Sequence, residues 1–221
     1  MNTSIVAKGQ WLFDKAILSE CFKKGDSVAI KLHMGEYDNT GYLRPSLVRG
    51  IVEKIKEYGG RPFVTDTTTM LLGAFWGRTT ARHYLDTAAR NGFTQASMGC
   101  PVVISDGEIG LDDVRVGIPE GIILKEAFLA QGIANADAVI ALSHFKGHDC
   151  GVYGGAIKNI GVGCSSKSGK MNLHLTNHPK YGVRNWPYSP EACQGNKCSY
   201  AETCRAICPV EAYEITEDGI S

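Results

Sequence analysis

Alternating apolar and polar runs predict strands and helices in the first part of the chain. The run Ser27–Leu32 is short and mainly apolar, which is typical of a buried strand. From Pro45 to Gly59, apolar residues recur every three or four positions, as they do in a helix with one buried face. A second strand follows at Arg61–Thr65. This order predicts a βαβ unit in which two parallel strands lie side by side.

The same kind of pattern continues through the middle of the chain. It predicts a helix at Arg78–Asn91, a strand at Pro101–Ser105, a β excursion over residues 108–122, a short helix at Lys125–Gln131 and a strand at Ala138–Leu142. Strands that alternate with helices indicate an α/β fold, with a mostly parallel sheet flanked by helices.

One break in the pattern predicts a domain boundary. At Asn185–Pro190, two prolines and two aromatic residues interrupt any helix or strand periodicity. We therefore predict an α/β domain over residues 1–188 and a small C-terminal segment over residues 189–221.

Polar side chains follow three of the predicted strands. Lys31 and His33 come at the end of the first strand, and Asp66 follows the second. His144 and His148 come after the strand Ala138–Leu142. The carboxyl ends of parallel strands share one edge of a sheet, where open α/β sheets place their ligand sites. We therefore expect Lys31, His33 and Asp66 to bind a cofactor or substrate near the two histidines.

The stretch from residue 143 to residue 174 combines glycine with histidine and lysine. Glycines such as Gly154–Gly155 allow the backbone to approach a ligand closely. His144 and His148 are candidate proton carriers, since imidazole titrates near neutral pH. Lys158 is a candidate nucleophile or cofactor anchor. The alternative is a glycine-rich turn with solvated lysines.

A second glycine pattern in the same stretch resembles a phosphate-binding loop. Gly163 is followed after five residues by Gly169-Lys170-Met171, whereas a P-loop has a gap of four and a Ser or Thr after the lysine. The spacing excludes a P-loop and leaves a less regular anion-binding loop as an alternative.

Composition and charge narrow the classes of function. The 221 residues carry 23 basic and 23 acidic side chains, so the formal net charge is zero and no footprint for nucleic acid or a membrane surface is present. The start of the chain lacks the apolar core of a signal peptide, and no apolar run approaches membrane-spanning length. These observations predict a cytoplasmic protein, in which eight cysteines indicate metal binding or catalysis before disulfides.

Four of the cysteines form the most specific chemical signal. Cys193-x4-Cys198-x5-Cys204-x3-Cys208-Pro209 ends on the C-x3-C-P spacing of bacterial ferredoxins, although its first two gaps are longer than theirs. Soft thiolates on a tightly turning loop are the ligands of iron–sulfur clusters, so we predict a [4Fe–4S] cluster here. Structural zinc is the alternative, with disulfides a further one.

The residues after this run are too few for a complete two-cluster ferredoxin. Such a fold pairs two cysteine runs, each lending its last cysteine to the other cluster, but no Cys or His follows Cys208. Either all four cysteines ligate one cluster, or the module is a partial ferredoxin. We expect a partial ferredoxin-like module, in which the strand Glu211–Ile215 lacks a partner. This segment is expected to be less ordered than the α/β domain or covered by another chain.

Several of these motifs together resemble those of the DUF362 family of proteins. The resemblance rests on HFKGH at residues 144–148, GGAIKNIGVGC at 154–164, GKMNLH at 169–174 and the cysteine run behind them, and it extends from about Lys31 to Pro209. It implies an α/β domain coupled to a ferredoxin-like [4Fe–4S] module, often in anaerobes. It implies no particular reaction.

A second resemblance concerns three residue spacings. His148, Lys158 and His174 are separated by ten and sixteen residues, which is similar to the nickel-pincer lactate racemase family. This resemblance implies that Lys158 anchors a pyridinium-derived cofactor, His174 ligates the metal and His148 acts as the acid or base. The racemases lack the cysteine cluster and differ in the residues before the lysine.

Two hypotheses of function follow. In the first, the protein is an oxidoreductase, and the cluster feeds electrons to a small-molecule substrate or cofactor held by the 143–174 stretch. In the second, it is a non-catalytic electron carrier or metal-binding protein that docks a redox partner protein. An enzyme requires a concave pocket that joins this stretch to Lys31, His33 and Asp66, whereas a carrier requires only an exposed cluster.

Overall fold

The computed structural model describes residues 4–70, 77–122, 124–148, 152–174, 177–178, 182–183, 193–199, 201–202, 214–217 and 219. Its α-helices are α1 Ile5–Lys15, α2 Pro45–Glu57, α3 Ala81–Arg90, α4 Gln95–Met98, α5 Gln131–Ala134, α6 Ala156–Gly161 and α7 Lys167–His174. Its strands are β1 Ser27–Lys31, β2 Arg61–Asp66, β3 Val102–Ile104, β4 Asp113–Gly117, β5 Glu126–Ala130, β6 Ala138–Ala141, β7 Lys146–His148, β8 Val152–Gly154, β9 Asn177–His178 and β10 Gly182–Val183. Short 3₁₀ turns occupy Leu18–Cys21 and Gly195–Lys197.

The centre of the fold is a four-stranded parallel sheet in the order β3-β2-β1-β6. Ile30 of β1 is in register with Val64 of β2 on one side and Ile140 of β6 on the other. This sheet and its helices confirm the predicted α/β class with a mostly parallel sheet.

The hydrophobic core explains why β1 reads as a continuous apolar run. Val28, Ala29 and Ile30 are completely buried, because a central parallel strand is covered on both faces. Val48 and Val52, which lie on one face of α2, are also fully buried. Burying an aliphatic side chain of this size contributes roughly 1.5–3 kcal/mol, so the sheet and α2 form a rigid frame for the residues at the strand ends.

One predicted element has the wrong secondary structure. The segment predicted as a helix at Lys125–Gln131 forms strand β5, which pairs antiparallel with β4. Strand β4 itself lies within residues 108–122, where the sequence predicts β structure. Phe128 lies opposite Arg115, and Arg115 also forms an ion pair with Glu126 across the two strands. The partner strand outweighs the helix propensity of Ala, Leu and Glu, which is a weak preference.

The C-terminal segment is described only in part. Cys204, Cys208 and residues 211–213 of the predicted strand lie outside the described residues. Among the residues that are described, Asn196 donates its backbone N–H to the carbonyl of Thr216 at 2.9 Å, and Ile215 is buried. The ferredoxin-like module and the boundary near residue 188 stay predictions.

No helix in the described part of the chain combines the length and the apolar character needed to cross a membrane.

Candidate functional site

The parallel register brings three strand ends to the same edge of the sheet. Lys31 is the last residue of β1, in register with Thr65 of β2 and Ala141 of β6. Asp66 is the next residue of β2. The chain that leaves β6 then passes over this edge and forms the β7–β8 hairpin and helix α6. The edge therefore holds the polar residues that follow each strand.

A cavity of about 220 Å³ lies at this edge, and we call it the strand-end cavity. The strand ends contribute Lys31, His33 and Asp66 to its lining. The segment after β6 contributes His144, His148, Gly154, Gly155 and Lys158. The structure thus joins both groups of predicted residues around one concave site.

A buried ion pair lies in the lining of the cavity. Lys31 Nζ lies 2.7 Å from Asp66 Oδ1, and the two side chains are 1% and 6% exposed. Burial by itself disfavours the Asp66 carboxylate, but the charge of Lys31 and the hydrogen bond with His33 outweigh this effect and hold the pKa of Asp66 well below its usual range. Asp66 is therefore charged at neutral pH, and Lys31 neutralises it.

Tyr84 supports the other oxygen of this carboxylate. Its hydroxyl donates to Asp66 Oδ2, accepts the backbone N–H of Met34 at 3.2 Å and lies 3.1 Å from His33 Nδ1. Burial and the negative charge of Asp66 raise the pKa of Tyr84 well above its usual range, so the hydroxyl keeps its proton. Burial lowers the pKa of His33, although its hydrogen bond with Asp66 acts in the opposite direction. His33 is consequently a neutral imidazole near pH 7.

Asn159 ties the loop to the sheet, and sequence reasoning did not single it out. Its carbonyl oxygen accepts a hydrogen bond from Lys31 Nζ at 2.8 Å. Its amide nitrogen lies 3.2 Å from the carbonyl oxygens of Lys31 and Leu142 and 3.0 Å from Ser143 Oγ. These bonds connect β1, the end of β6 and α6. Asn159 therefore fixes the position of its neighbour Lys158.

Lys158 and His148 are in direct contact. Lys158 Nζ, from α6, and His148 Nε2, from β7, form a hydrogen bond across the cavity lining. A lysine ordinarily has a much higher pKa than a histidine, so the contact places a stronger and a weaker base side by side. The two groups form an acid and a base in one hydrogen bond.

His144 occupies a more exposed position at the same cavity. Its Nδ1 lies 3.0 Å from the backbone carbonyl of Gly41. This contact orients the ring, so the opposite ring nitrogen is the one left to meet a ligand.

The glycines at the cavity do not have conformations that require glycine. Gly154 and Gly155 have no positive φ, and an added Cβ would meet only ordinary contacts, such as Phe145 at 3.5 Å from Gly155. Their predicted role in binding a cofactor stays a prediction.

Two basic residues that the sequence did not place in the site also line the cavity. Lys170 is buried and donates to Thr67 Oγ1 and to the carbonyl of Ser165, each at 2.6 Å. Burial lowers the pKa of Lys170 to about 8, while the charges of Asp106 and Asp66 act in the opposite direction. Arg78 pairs with Glu36 at the cavity.

The comparison with known families adds an independent observation. A family model described as "Domain of unknown function (DUF362)" matches residues 28–212. The chain belongs to the DUF362 family. The match includes the strand-end cavity and all four cysteines of the C-terminal run. Searches with the chain found no match among curated proteins or among solved structures.

In this DUF362 protein, His174 does not join the other predicted residues. It lies exposed at the end of α7, outside the lining of the cavity, and its Nδ1 is 2.7 Å from the carbonyl of Lys170 one helical turn earlier. The expectation that His148, Lys158 and His174 face one cavity is thus met by the first two only. Helix α7 directs Lys170 into the cavity instead of His174.

The predicted cluster ligands are described in part. Cys193 and Cys198 are half-buried free thiols on either side of the 3₁₀ turn Gly195–Lys197, and Cys204 and Cys208 lie outside the described residues. Within the described residues, no group of three His, Cys, Asp or Glu side chains is arranged to hold a metal ion.

Proposed function

We propose that this DUF362 protein is an enzyme that binds a small molecule in the strand-end cavity and transfers a proton to or from it. The observation that carries this proposal is the cavity itself, because it joins the hydrogen-bonded pair Lys158 and His148 to the charged strand ends Lys31 and Asp66. A pure electron carrier needs an exposed cluster and no such concave site. The geometry therefore favours the enzyme over the carrier.

The proton-transfer step uses two nitrogens that already share one proton. The ammonium of Lys158 turns its N–H from His148 to the atom of the bound molecule where negative charge develops. His148 Nε2, released from that hydrogen bond, accepts the proton that the molecule loses. A positioned acid and base of this kind typically contribute about 10²–10⁴-fold each to a rate. Lys31 and Asp66 neutralise one another, so they line the cavity without competing for that proton.

We further propose that a [4Fe–4S] cluster belongs to the same protein. Its ligands would be Cys193, Cys198, Cys204 and Cys208. Support comes from the four-thiol run that ends on the C-x3-C-P spacing, and from a tight turn between the first two thiols, where Gly195 has φ of 51°. When bound, such a cluster supplies one-electron transfer, which makes an oxidoreductase the best-supported class.

The decisive experiment is anaerobic purification followed by analysis of iron, acid-labile sulfide and bound small molecules. We expect iron and sulfide in stoichiometric amounts, a broad absorption band at roughly 400 nm from thiolate-ligated iron, and a small molecule that co-purifies. Stoichiometric zinc without sulfide would refute the cluster. The variants Lys158→Met and His148→Gln test the cavity separately, since turnover of any identified ligand should fall in both while the cluster content stays unchanged.

A further inference from the structure

We propose that the strand-end cavity contains an anion subsite, formed by Lys170 and Arg78, which holds a carboxylate or phosphate group of the bound molecule. The inference rests on the proposed function in assuming that the cavity takes a ligand. It goes further by assigning that ligand to the small organic acids or phosphate esters.

The charge balance of the cavity supports an anionic ligand. The described lining residues include five cationic side chains, on Lys31, Arg78, Lys146, Lys158 and Lys170, against two carboxylates, on Glu36 and Asp66. Both carboxylates are already engaged, Asp66 with Lys31 at 2.7 Å and Glu36 with Arg78. An excess of positive charge in a concave site attracts an anion more strongly than the same charges would on a flat, fully solvated surface.

Arg78 supplies an unused donor in this region. Its Nε is the one buried side-chain nitrogen or oxygen without a hydrogen-bond partner among the described residues. Buried donors in native proteins are nearly always paired, so an orphaned one calls for an acceptor. The planar fork of a guanidinium matches the oxygens of a carboxylate or phosphate.

Lys170 supplies a second donor. An ammonium has three N–H groups, and Thr67 Oγ1 and the Ser165 carbonyl accept two of them. The Asp106 carboxylate, whose charge acts on Lys170, accepts the backbone N–H and the hydroxyl of Thr68 instead. One N–H of Lys170 thus has no acceptor among the described residues, at a position that lines the cavity.

The glycine pattern around Lys170 serves packing and not a P-loop. A Cβ on Gly169 would lie 2.5 Å from the carbonyl oxygen of Phe128, so glycine lets α7 approach β5 closely. A Cβ on Gly163 would lie 2.7 Å from Lys31 Nζ. Both glycines remove bulk that would push the backbone away from the sheet, and the result is that Lys170 reaches the cavity as a side-chain donor.

Helix α7 also contains a matched control for Lys170. Lys167 is buried to the same degree, each residue being 7% exposed, and burial also lowers its pKa. Its Nζ donates to the carbonyl of Thr79 at 2.8 Å, and it does not belong to the cavity lining. The variants Lys170→Met and Lys167→Met therefore remove the same group from the same helix, inside and outside the proposed subsite.

Calorimetric titration of the full chain tests the subsite, with inorganic phosphate and acetate as probes and sodium chloride at equal ionic strength as the control. We expect Lys170→Met to weaken binding of the preferred probe by about tenfold or more, the usual effect of losing a charged hydrogen bond, and Lys167→Met to leave it within about twofold. Binding of phosphate alone assigns a phosphate ester, and binding of acetate assigns an organic acid. Equal affinity in the two variants, or no binding of either probe, would overturn the proposal.

A measurement on the unmodified protein covers the case in which the variants fold poorly. In ¹⁵N-detected spectra, the Nε–H resonance of Arg78 should shift on addition of the binding probe, and an unchanged resonance contradicts the subsite. Lys158→Met should retain anion binding, because Lys158 is not part of the subsite. The two proposals can therefore fail separately. Absence of anion binding with an intact Lys158–His148 pair contradicts this inference alone, and anion binding with turnover that does not depend on Lys158 and His148 contradicts the proposed function alone.

Discussion

Lys158 Nζ and His148 Nε2 form a hydrogen bond that joins helix α6 to strand β7. The two residues are ten positions apart, and Asn159 holds α6 against the strand ends. Their proximity means that protonation of one disfavours protonation of the other.

We expect Lys158→Met to move the titration of His148 to higher pH, because the variant removes a positive charge from beside the imidazole. NMR titration of the ring resonances measures this directly. Lys125→Met is the control, since Lys125 is exposed and donates only to the carbonyl of Gly121 in the described structure. A His148 titration that is unchanged or moves to lower pH would show that the two groups do not share a proton.

Breaking the buried ion pair should be costly. Lys31→Met leaves the Asp66 charge buried without its main partner, and Asp66→Asn does the same to Lys31, so each should lower the free energy of unfolding by about 3–5 kcal/mol. The double variant should lose less than the sum. Denaturant unfolding measures all three.

The exposed pair Arg49 and Glu53 provides the control for this cycle. These side chains are 47% and 53% exposed, and removing either partner should change stability by about 0–1 kcal/mol. Equal losses for the buried and the exposed pair would contradict the assigned burial of Lys31 and Asp66.

Acid should destabilise the protein through Asp66. Its pKa in the folded state is far below the ordinary value of 3.8, so folding holds Asp66 in the charged form. This contribution is fully present above about pH 4 and is lost as pH falls below that value toward the folded-state pKa. The charged and titratable groups that act on Asp66 and Tyr84 here are Lys31, His33 and Arg78. Stability curves recorded between pH 7 and pH 2 should be flatter for Asp66→Asn, and curves of equal slope would contradict this origin.

Asn159→Ala should both destabilise the fold and misplace Lys158. The change removes the acceptor of Lys31 Nζ and the donors to three oxygens, so we expect a loss of about 2–3 kcal/mol. The exposed Asn135, at the end of α5, is the control, and Asn135→Ala should cost at most about 0.5 kcal/mol. If the His148 titration in Asn159→Ala equals that of the unmodified protein, Asn159 does not position Lys158.

Local sequence pattern was sufficient for the frame of this protein. Strands β1, β2 and β6 could be predicted because their apolar runs show that they are buried. Helix α2 could be predicted because its apolar residues recur at helical spacing along one face. The polar residues at the strand ends, Lys31 and Asp66, followed from the rule that parallel strands share one carboxyl edge. Strand β5 was missed because its identity depends on pairing with β4, which no single segment encodes.

The set of side chains that line the cavity depends on contacts between distant parts of the chain. Tyr84 meets Asp66 from α3, and Arg78 reaches the cavity from the segment before that helix, while neither has a local motif. Lys170 and His174 lie one turn apart on α7, and only the packing of that helix determines that Lys170 enters the cavity. The sequence by itself determined the parallel sheet, the carboxyl edge at which the site forms, and the lysine and histidine residues that are available near it. Tertiary structure decided which of these side chains meet, because burial and pairing energies are set by neighbours far away along the chain.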